Sequence, residues 1–575
     1  MHSTADPSRD GRDDGRAARL RAAAADVYGW DTLRPEQLTA MEGVLDGADV
    51  LAVMPTGSGK SAVFQVPALL LSGPVVVVSP LLALQRDQIE SLPGGERGPG
   101  AVALNSDLTA AGEKAAWEAV DAGAVRLVYL APEQLAKDET VRRLAAARPA
   151  LFVVDEAQCV SSWGHDFRPD YLRLAQAVRR VGRPPLLALT ATAAPPVRRD
   201  ITERLGMDRP RVLVTGFDRP EITLEVRRFP DEDERRRALV ERAAAEPKPG
   251  LVYAATRKDT EHYAGELARL GLAAEFYHAG LRACERARIH EAFRDGRADV
   301  VVATSAFGMG IDKEDVRFVL HAALPGSLDA YYQEIGRCGR DGRPALAVLH
   351  YRPEDTGMQA WFAARTAGRD TLGEVADAVH DHRDDPADLA ELREDTGLSR
   401  PRVTAAVNLL EEAGAVTTGA AGEVRPDPGT PPQEAADAAA RTAGEHRLAD
   451  RSRVEMARTY AETTGCRRHF LLGYFGEAYE PPCGNCDRCA AAGPGEDPGA
   501  AGRGTAHPAA TRYPAGTQVR HGRWGEGTVL SEDGDRITVL FDRTGYRTLS
   551  LDVLAGRDDD LLTVVRRPGR EGPSD

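Results

Sequence analysis

Short apolar runs, each followed by a stretch with helical periodicity, recur along residues 50–350 and constrain the fold more than any other feature. Runs of this length that are apolar throughout are typical of strands covered on both faces of a parallel sheet. The first series comprises Val50–Met54, Val75–Ser79, Leu127–Leu130, Leu151–Val154 and Leu186–Thr190. The second comprises Gly250–Ala254, Ala274–Tyr277, Val300–Ala303, Phe318–Ala322 and Ala345–His350. The sequence therefore predicts two consecutive α/β domains, over residues 21–218 and 219–355.

A glycine-rich segment follows the first apolar run and precedes a helix-like stretch. It reads Pro55-Thr56-Gly57-Ser58-Gly59-Lys60-Ser61. In a strand–loop–helix of this kind, backbone N–H groups surround phosphates, the lysine reaches the β- and γ-phosphates, and the hydroxyl holds Mg²⁺. The strict pattern has glycine where this chain has Met54, so a glycine turn before a helix is the alternative interpretation.

Two adjacent carboxylates end another predicted strand. Asp155 and Glu156 directly follow Leu151–Val154. Asp155 is predicted to bind Mg²⁺, and Glu156 to orient or deprotonate the attacking water. An isolated carboxylate pair is also compatible with a solvated strand end. Together with the phosphate loop, it predicts a nucleoside triphosphatase.

Arg337 and Arg340 are the catalytic candidates of the second α/β domain, in the segment Gln333–Arg340. Two arginines could neutralise charge on the transferring γ-phosphate. A basic turn at the surface is the alternative.

Composition excludes several protein classes. There is no stretch of about 18 uncharged apolar residues, as a membrane-spanning helix needs, and residues 1–20 are polar and lack the apolar region of a secretory signal. We therefore expect a cytoplasmic protein whose residues 1–20 form a disordered arm. The net charge of −15 gives no sign of nucleic-acid binding, so such contacts would depend on local basic patches.

Four of the seven cysteines have metal-ligand spacing. Cys466, Cys483, Cys486 and Cys489 form the pattern C-x₁₆-C-x₂-C-x₂-C, within a predicted zinc module over residues 449–490. This spacing suits a closed tetrahedral Cys₄ zinc site. A redox pair and an iron–sulfur cluster are the alternatives.

Residues 372–430 are predicted to form a winged-helix-like module. Residues 387–418 read as helix–turn–helix, with Arg400 and Arg402 on the second helix. Val416–Thr418 and Glu423–Arg425 are candidate strands of the wing. Such a unit binds duplex DNA in many proteins, but it also serves as a packing module. Residues 431–448 are interpreted as a linker that runs into a helix.

In order and content, these segments resemble the RecQ family of superfamily 2 DNA helicases, over roughly residues 25–350. The resemblance implies two tandem RecA-like domains. It also implies an adenine site in which Gln37 hydrogen-bonds the base edge while Trp30 and Arg34 sandwich the ring. Ala303–Lys313, which contains Thr304, matches a DNA-contacting segment, and Arg340 matches the arginine finger. Gln158 stands where the family usually has histidine, which leaves coupling of hydrolysis to DNA in question.

The segment Cys159–Tyr171 resembles the aromatic-rich loop that distinguishes RecQ proteins. Trp163 and Phe167 could stack on unpaired bases, and His165 and Arg168 are the other DNA-contact candidates. Packing of the aromatic residues in the core is the alternative. The cysteine segment resembles the RecQ zinc module. In the best-known RecQ proteins the winged helix follows that module, whereas the candidate here precedes it.

The C-terminal part is predicted to be a linker over residues 491–512 and a small β barrel over residues 513–566. The barrel resembles the SH3-like or Tudor-like tail of UvrD/PcrA helicases, which implies a protein partner such as RNA polymerase. A barrel that stabilises the C-terminus or touches DNA is the alternative.

The resemblance as a whole implies an ATP- and Mg²⁺-dependent 3′→5′ helicase acting on single strands and duplex junctions in repair or recombination. Its rivals are a DNA-stimulated translocase without processive unwinding and a non-enzymatic DNA-binding scaffold.

Overall fold

The computed structural model describes residues 7–80, 82–94, 98–105, 108–161, 168, 171, 173–307, 313–357, 367–419, 422–492, 512–514, 516–533, 536–541, 544–551, 554 and 561–567. The chain forms two compact units. The first comprises residues 1–191, 197–215 and 367–442, and the second comprises residues 192–196, 216–366 and 443–575. Within the described residues, no helix is long and apolar enough to cross a membrane.

A seven-stranded parallel sheet forms the centre of the first unit. Its strands are β1 (Val50–Val53), β2 (Val75–Val78), β3 (Ala101–Leu104), β4 (Leu127–Leu130), β5 (Leu151–Val154), β6 (Leu186–Thr190) and β7 (Arg211–Val214). The strand order is β3-β4-β2-β5-β6-β1-β7, so β6 separates the strands that lead into the phosphate loop and the carboxylate pair. The central strands are fully buried because helices cover both faces of such a sheet.

Helices alternate with these strands, as a parallel sheet requires. They are Pro7–Ala23, Pro35–Leu45, Ala62–Ala68, Leu82–Glu90, Ala110–Asp121, Asp138–Ala147, Leu174–Arg180 and Pro195–Arg204, with a π-helical turn at Ala24–Tyr28 and 3₁₀ turns at Pro132–Ala136 and Ala157–Val160. Capping chemistry accounts for several helix starts. For example, the Thr109 hydroxyl accepts a hydrogen bond from the Gly112 N–H at 3.2 Å.

The prediction of a disordered arm over residues 1–20 differs from the structure, in which Pro7–Ala23 is helical. Leu20 is fully buried and joins a cluster with Met41, Ala62 and Val66. Burial of Leu20 and Ala17, with the ion pair between Arg16 and Asp46, accounts for order that the polar composition of the segment does not predict.

A six-stranded parallel sheet forms the centre of the second unit, in the order β10-β11-β9-β12-β13-β8. Its strands are β8 (Ile222–Arg228), β9 (Gly250–Tyr253), β10 (Ala274–Tyr277), β11 (Val300–Ala303), β12 (Phe318–His321) and β13 (Ala345–Tyr351). The accompanying helices are Glu232–Ala245, Arg257–Arg269, Ala283–Arg294 and Leu328–Ile335, with a 3₁₀ turn at Ser305–Phe307. The prediction of two parallel-sheet domains is confirmed.

The winged-helix-like module lies in the first unit. It consists of helices Arg369–Asp381, Leu389–Thr396 and Arg400–Glu412, followed by the antiparallel strands β14 (Val416–Thr418) and β15 (Val424–Pro426). Residues 431–448, which were expected to begin as a linker, are instead helical from Pro432, in a helix that extends to Glu462.

The zinc module and a C-terminal sheet belong to the second unit. The zinc module continues with helices Arg467–Tyr474 and Asp487–Ala492. The C-terminal sheet is antiparallel, in the order β19-β18-β17-β16-β20. Its strands are β16 (Gln518–His521), β17 (Gly525–Asp533), β18 (Arg536–Phe541), β19 (Gly545–Ser550) and β20 (Leu562–Arg566). Most of the predicted linker 491–512 lies outside the described residues.

Candidate functional site

The phosphate loop follows β1 directly, as the sequence predicts. Gly57 and Gly59 have φ values of 80° and 75°, a left-handed conformation that other residues rarely adopt. Lys60 Nζ donates to the Met54 carbonyl at 3.3 Å, so the lysine is folded back onto the start of its own loop. The Ser58 hydroxyl oxygen is buried and makes no hydrogen bond to any described residue, which fits a loop that is completed by phosphate oxygens.

The carboxylate pair ends β5, two strands away from β1 in the sheet. Asp155 and Glu156 are both buried, and Glu156 has a φ of 49°, a strained conformation for a residue with a side chain. Burial and then the adjacent Glu156 carboxylate raise the pKa of Asp155 to about 7, while the Lys60 ammonium opposes this shift. The lysine of the phosphate loop and the carboxylate therefore act on each other electrostatically.

Gln88 connects the two predicted Mg²⁺ ligands. Its Nε2 lies 3.4 Å from the Ser61 hydroxyl, and its hydrogen bond to Asp155 helps to hold down the pKa of that carboxyl. A hydroxyl and a carboxylate on either side of one amide are oxygen donors of the kind that Mg²⁺ prefers. Ser61 and Asp155 thus fit the ion. Sequence reasoning did not select Gln88.

Gln158 bridges the carboxylate pair to β6. Its Nε2 donates to Glu156 Oε2 at 2.9 Å, and its Oε1 accepts from the Thr190 hydroxyl at 2.6 Å. Gln158 and Thr190 are almost completely buried, so this bridge lies out of contact with water. Sequence reasoning identified Gln158 but not its partner Thr190.

The predicted adenine-binding residues lie beside the phosphate loop. Gln37 Nε2 donates to the Ser58 and Gly59 carbonyls at 2.9 and 3.1 Å, and a Cβ on Gly59 would meet this nitrogen at 2.6 Å. Gln37 Oε1 accepts from the Arg34 N–H at 2.9 Å. The Gln37 amide is thus hydrogen-bonded to the phosphate loop, and its recognition of the adenine base stays a prediction.

Trp30, predicted to form half of a sandwich around the adenine ring, stacks on Tyr28. The ring centroids are 4.4 Å apart and the planes are inclined by 18°. The Arg34 side chain is exposed. Tyr28 was not selected from the sequence, because nothing local marks it as the stacking partner.

The predicted DNA contacts are placed unevenly. Trp163, His165 and Phe167 lie outside the described residues. The Arg168 guanidinium donates to the Pro80 carbonyl at 3.1 Å, which ties the end of the aromatic-rich loop to the segment after β2.

In the winged-helix-like module, Arg400 and Arg402 are exposed at the start of the helix Arg400–Glu412, and Arg402 also donates to the Thr371 hydroxyl at 2.6 Å. In the second unit, Thr304 follows β11 and is half-buried.

The two arginines of the second unit occupy different environments. Arg337 is 3% exposed. Burial of the His290 ring lowers the pKa of His290 to about 4, and the positive charge of the Arg337 guanidinium is the second cause of this shift. Arg340 is half-buried, and its Nε lies 3.5 Å from the Gly336 carbonyl. Arg337 is thus an interior residue of its unit, and Arg340 is the more accessible candidate.

The four predicted zinc ligands converge, with their Sγ atoms all within 4.8 Å of one another. A tetrahedral site with Zn–S bonds of about 2.3 Å has Sγ–Sγ edges of about 3.8 Å. The Cys483 and Cys489 sulfurs are 3.8 Å apart. The residues present therefore fit a Cys₄ zinc ion.

Three family profiles match the chain. They are "DEAD/DEAH box helicase" over residues 34–200, "Helicase conserved C-terminal domain" over residues 234–342, and "RecQ zinc-binding" over residues 434–490. A solved structure, the DUF1998 helicase MrfA bound to DNA, has a similar fold, with a TM-score of 0.50 and 18% identity over 73% of this chain and 63% of that chain.

Relatives with higher identity cover most of the chain. The probable ATP-dependent DNA helicase RecS of Bacillus subtilis is 34% identical over 482 residues, which are 83% of this chain and 92% of RecS. The ATP-dependent DNA helicase RecQ of Haemophilus influenzae is 34% identical over 80% of this chain, which spans only 62% of that relative. Because the three profiles match in order and the similarity to RecS extends over nearly its whole length, the chain belongs to the RecQ family of superfamily 2 helicases.

Proposed function

We propose that this protein is an ATP-dependent DNA helicase of the RecQ type, which uses ATP hydrolysis to move 3′→5′ along one strand and separate the duplex. The single observation that carries the proposal is the assembly of Lys60, Ser61, Asp155 and Glu156 at the carboxyl ends of β1 and β5. Ligands bind at this edge of open parallel sheets. The relatives named as DNA helicases supply the substrate class.

Several residues of the first unit have separate roles in ATP hydrolysis. Lys60 neutralises charge on the β- and γ-phosphates, and Ser61 and Asp155 would hold Mg²⁺. Glu156 orients the attacking water, and its carboxylate is itself held by the Gln158 amide. When bound, Mg²⁺ screens the charge that develops on the phosphate oxygens.

The remaining roles follow from the family resemblance. Arg340 supplies positive charge to the γ-phosphate, and Trp30, Arg34 and Gln37 recognise the adenine. The aromatic-rich loop, with Trp163 and Phe167, stacks on unpaired bases, since stacking tolerates any sequence and so suits a motor. The helix–turn–helix pattern, rather than the resemblance, supports contacts of Arg400 and Arg402 with duplex phosphates. Nucleoid association would follow from this binding.

A protein partner such as RNA polymerase, bound through the C-terminal sheet, is a further part of the proposal. It is supported by Val564 and Val565 of the edge strand β20, which are 40% and 50% exposed. Retention of RNA polymerase on the immobilised chain, compared with a Val564→Lys, Val565→Lys variant, tests it. Equal retention by both would contradict this part alone.

Strand displacement tests the helicase proposal. A labelled strand is annealed to form a 3′-tailed or a 5′-tailed duplex and is incubated with ATP and Mg²⁺. We expect the wild type to displace the strand only from the 3′-tailed duplex, and Lys60→Ala to displace none. Lys114→Ala, which removes a lysine from the surface of the first unit and breaks an exposed ion pair with Glu118, serves as the matched control. DNA-stimulated hydrolysis without displacement would instead indicate a translocase that does not unwind.

A further inference from the structure

The C-terminal sheet buries one of its tyrosines against the zinc module. Tyr546 of β19 is 2% exposed, and its ring stacks on Tyr474 with centroids 5.1 Å apart and planes inclined by 29°. The Tyr546 hydroxyl donates to the Tyr474 hydroxyl at 2.8 Å. Beside it, Gly545 has a φ of 76°, and a Cβ there would overlap Ser452 of the helix Pro432–Glu462. The sheet is thus packed closely against two helices of its own chain.

The hydrogen bonds continue from the zinc module into the parallel-sheet part of the second unit. Tyr474 donates in turn to the carboxylate of Asp329, which is also 2% exposed. Burial raises the pKa of both tyrosines well above the usual value, so both hydroxyls keep their protons and act as donors. The chain Tyr546–Tyr474–Asp329 therefore runs in one direction and ends on an anionic acceptor, where a hydrogen bond is strongest.

Asp329 belongs to the helix Leu328–Ile335, which we call the tyrosine helix. Two further residues of this helix are held by neighbours. The Tyr331 hydroxyl lies 3.4 Å from that of Tyr460, and the Tyr332 hydroxyl donates to the Phe217 carbonyl at 2.8 Å. Every tyrosine of the helix is thus fixed by a polar contact as well as by packing.

The tyrosine helix leads directly into the segment with the two candidate arginines. The helix ends at Ile335, Arg337 follows two residues later, and Arg340 contacts the carbonyl of Gly336, the residue that caps the helix. A shift or rotation of the tyrosine helix would move these arginines with it. Contacts that fix the helix therefore also fix the arginines.

We propose that the C-terminal sheet is a positioning element for the arginine-bearing segment, and that Tyr546 is the positioning residue through which it acts. The inference rests on the proposed function, in which Arg340 assists hydrolysis. It assigns to the sheet a role within the chain, distinct from any partner that its edge strand binds. Tyr546 touches neither nucleotide nor DNA and acts through Tyr474 and Asp329.

The test replaces one hydroxyl. Tyr546→Phe keeps the ring and its stacking but removes the first hydrogen bond of the chain. Loss of one such bond lowers a rate that depends on it by about two- to tenfold. We expect kcat for DNA-stimulated ATP hydrolysis to fall within this range, with KM for ATP, the half-saturating DNA concentration and zinc content unchanged. Tyr513→Phe, at a buried tyrosine in the core of the same sheet, is the matched control and should keep the wild-type kcat.

A double-mutant comparison separates positioning from general loosening of the fold. Tyr474→Phe breaks the same chain, so adding Tyr546→Phe to it should lower kcat no further. Unchanged kcat in Tyr546→Phe, an equal loss in Tyr513→Phe, or additive losses in the double variant would each overturn the inference. A wild type that shows no DNA-stimulated hydrolysis would instead overturn the proposed function.

Discussion

The Gln158 bridge offers the sharpest test of how the nucleotide site is organised. One buried amide donates to Glu156 at 2.9 Å and accepts from Thr190 at 2.6 Å, and it thereby links the residue proposed to orient water to the neighbouring strand β6. Gln158→Met keeps the length and flexibility of the side chain and removes both hydrogen bonds. Glu156 then loses its amide donor while its backbone stays in a strained, left-handed conformation.

The size of the effect follows from the bond to Glu156. A hydrogen bond to a charged group contributes about 1.5–3 kcal/mol, and a factor of ten in rate corresponds to about 1.4 kcal/mol. Only the part that is stronger in the transition state than in the ground state slows the reaction. We therefore expect kcat to fall by about ten- to a hundredfold, with KM for ATP little changed because the phosphate loop is untouched.

The assay is steady-state ATP hydrolysis with and without single-stranded DNA. Gln176→Met, the same substitution at an exposed position of the same unit, controls for the change of residue type. Gln158→His should retain most of the activity, because a neutral imidazole offers one donor and one acceptor and can span both partners. Wild-type kcat and DNA stimulation in a folded Gln158→Met variant would refute the reasoning.

Three further predictions concern stability. The wild type is expected to bind one zinc ion per chain, and Cys486→Ser should abolish this binding and lower the Tm. Metal analysis measures the zinc content, and a variant that keeps stoichiometric zinc would contradict the Cys₄ assignment. Burial lowers the pKa of His350 to about 3, so the unfolded chain binds the extra proton and stability is lost as pH falls below about 6.5. His350→Phe, which keeps the stacking on Phe229, should recover about 2 kcal/mol of this loss at pH 5, seen as a flatter dependence of Tm on pH; an unchanged dependence would show that another group titrates. Arg173→Ala and Glu411→Gln break an ion pair between the winged-helix-like module and the rest of the first unit. A double-mutant cycle in urea should give a coupling of about 1 kcal/mol, whereas additive losses would mean that the pair contributes nothing.

The central strands could be predicted from the sequence, but three edge strands could not. β1, β2, β4, β5 and β6 are buried on both faces and so consist of continuous apolar runs. The strands missed were β3, β7 and β8, each at the edge of its sheet. β7 is Arg-Val-Leu-Val with two exposed valines, and a partly covered strand of this kind has no unbroken apolar signal.

The candidate residues of the nucleotide and zinc sites could be proposed from the sequence because each belongs to a pattern formed with its immediate neighbours in the chain. The phosphate loop needs glycines beside the lysine, and the zinc site needs two closely spaced cysteine pairs, so both leave a local pattern. Gln88 and Thr190 were not selected from the sequence. They are identified only by what the folded sheet places next to them, at distances of 3.4 and 2.6 Å.

The contacts that support the arginine-bearing segment join residues that are far apart in the sequence, so no local pattern reveals which residues will meet. Asp329 and Tyr474 are 145 residues apart, and Tyr474 and Tyr546 are 72 apart, yet the three form one buried chain of hydrogen bonds. A motif is recognisable because its chemistry allows few substitutes, whereas a helix can be held in place by many different packings. Relatives that catalyse ATP hydrolysis can therefore hold the arginine-bearing segment in place with other residues. The C-terminal sheet is then one solution to a problem that every such chain must solve, and its removal should impair hydrolysis in this protein without implying that the sheet is needed in others.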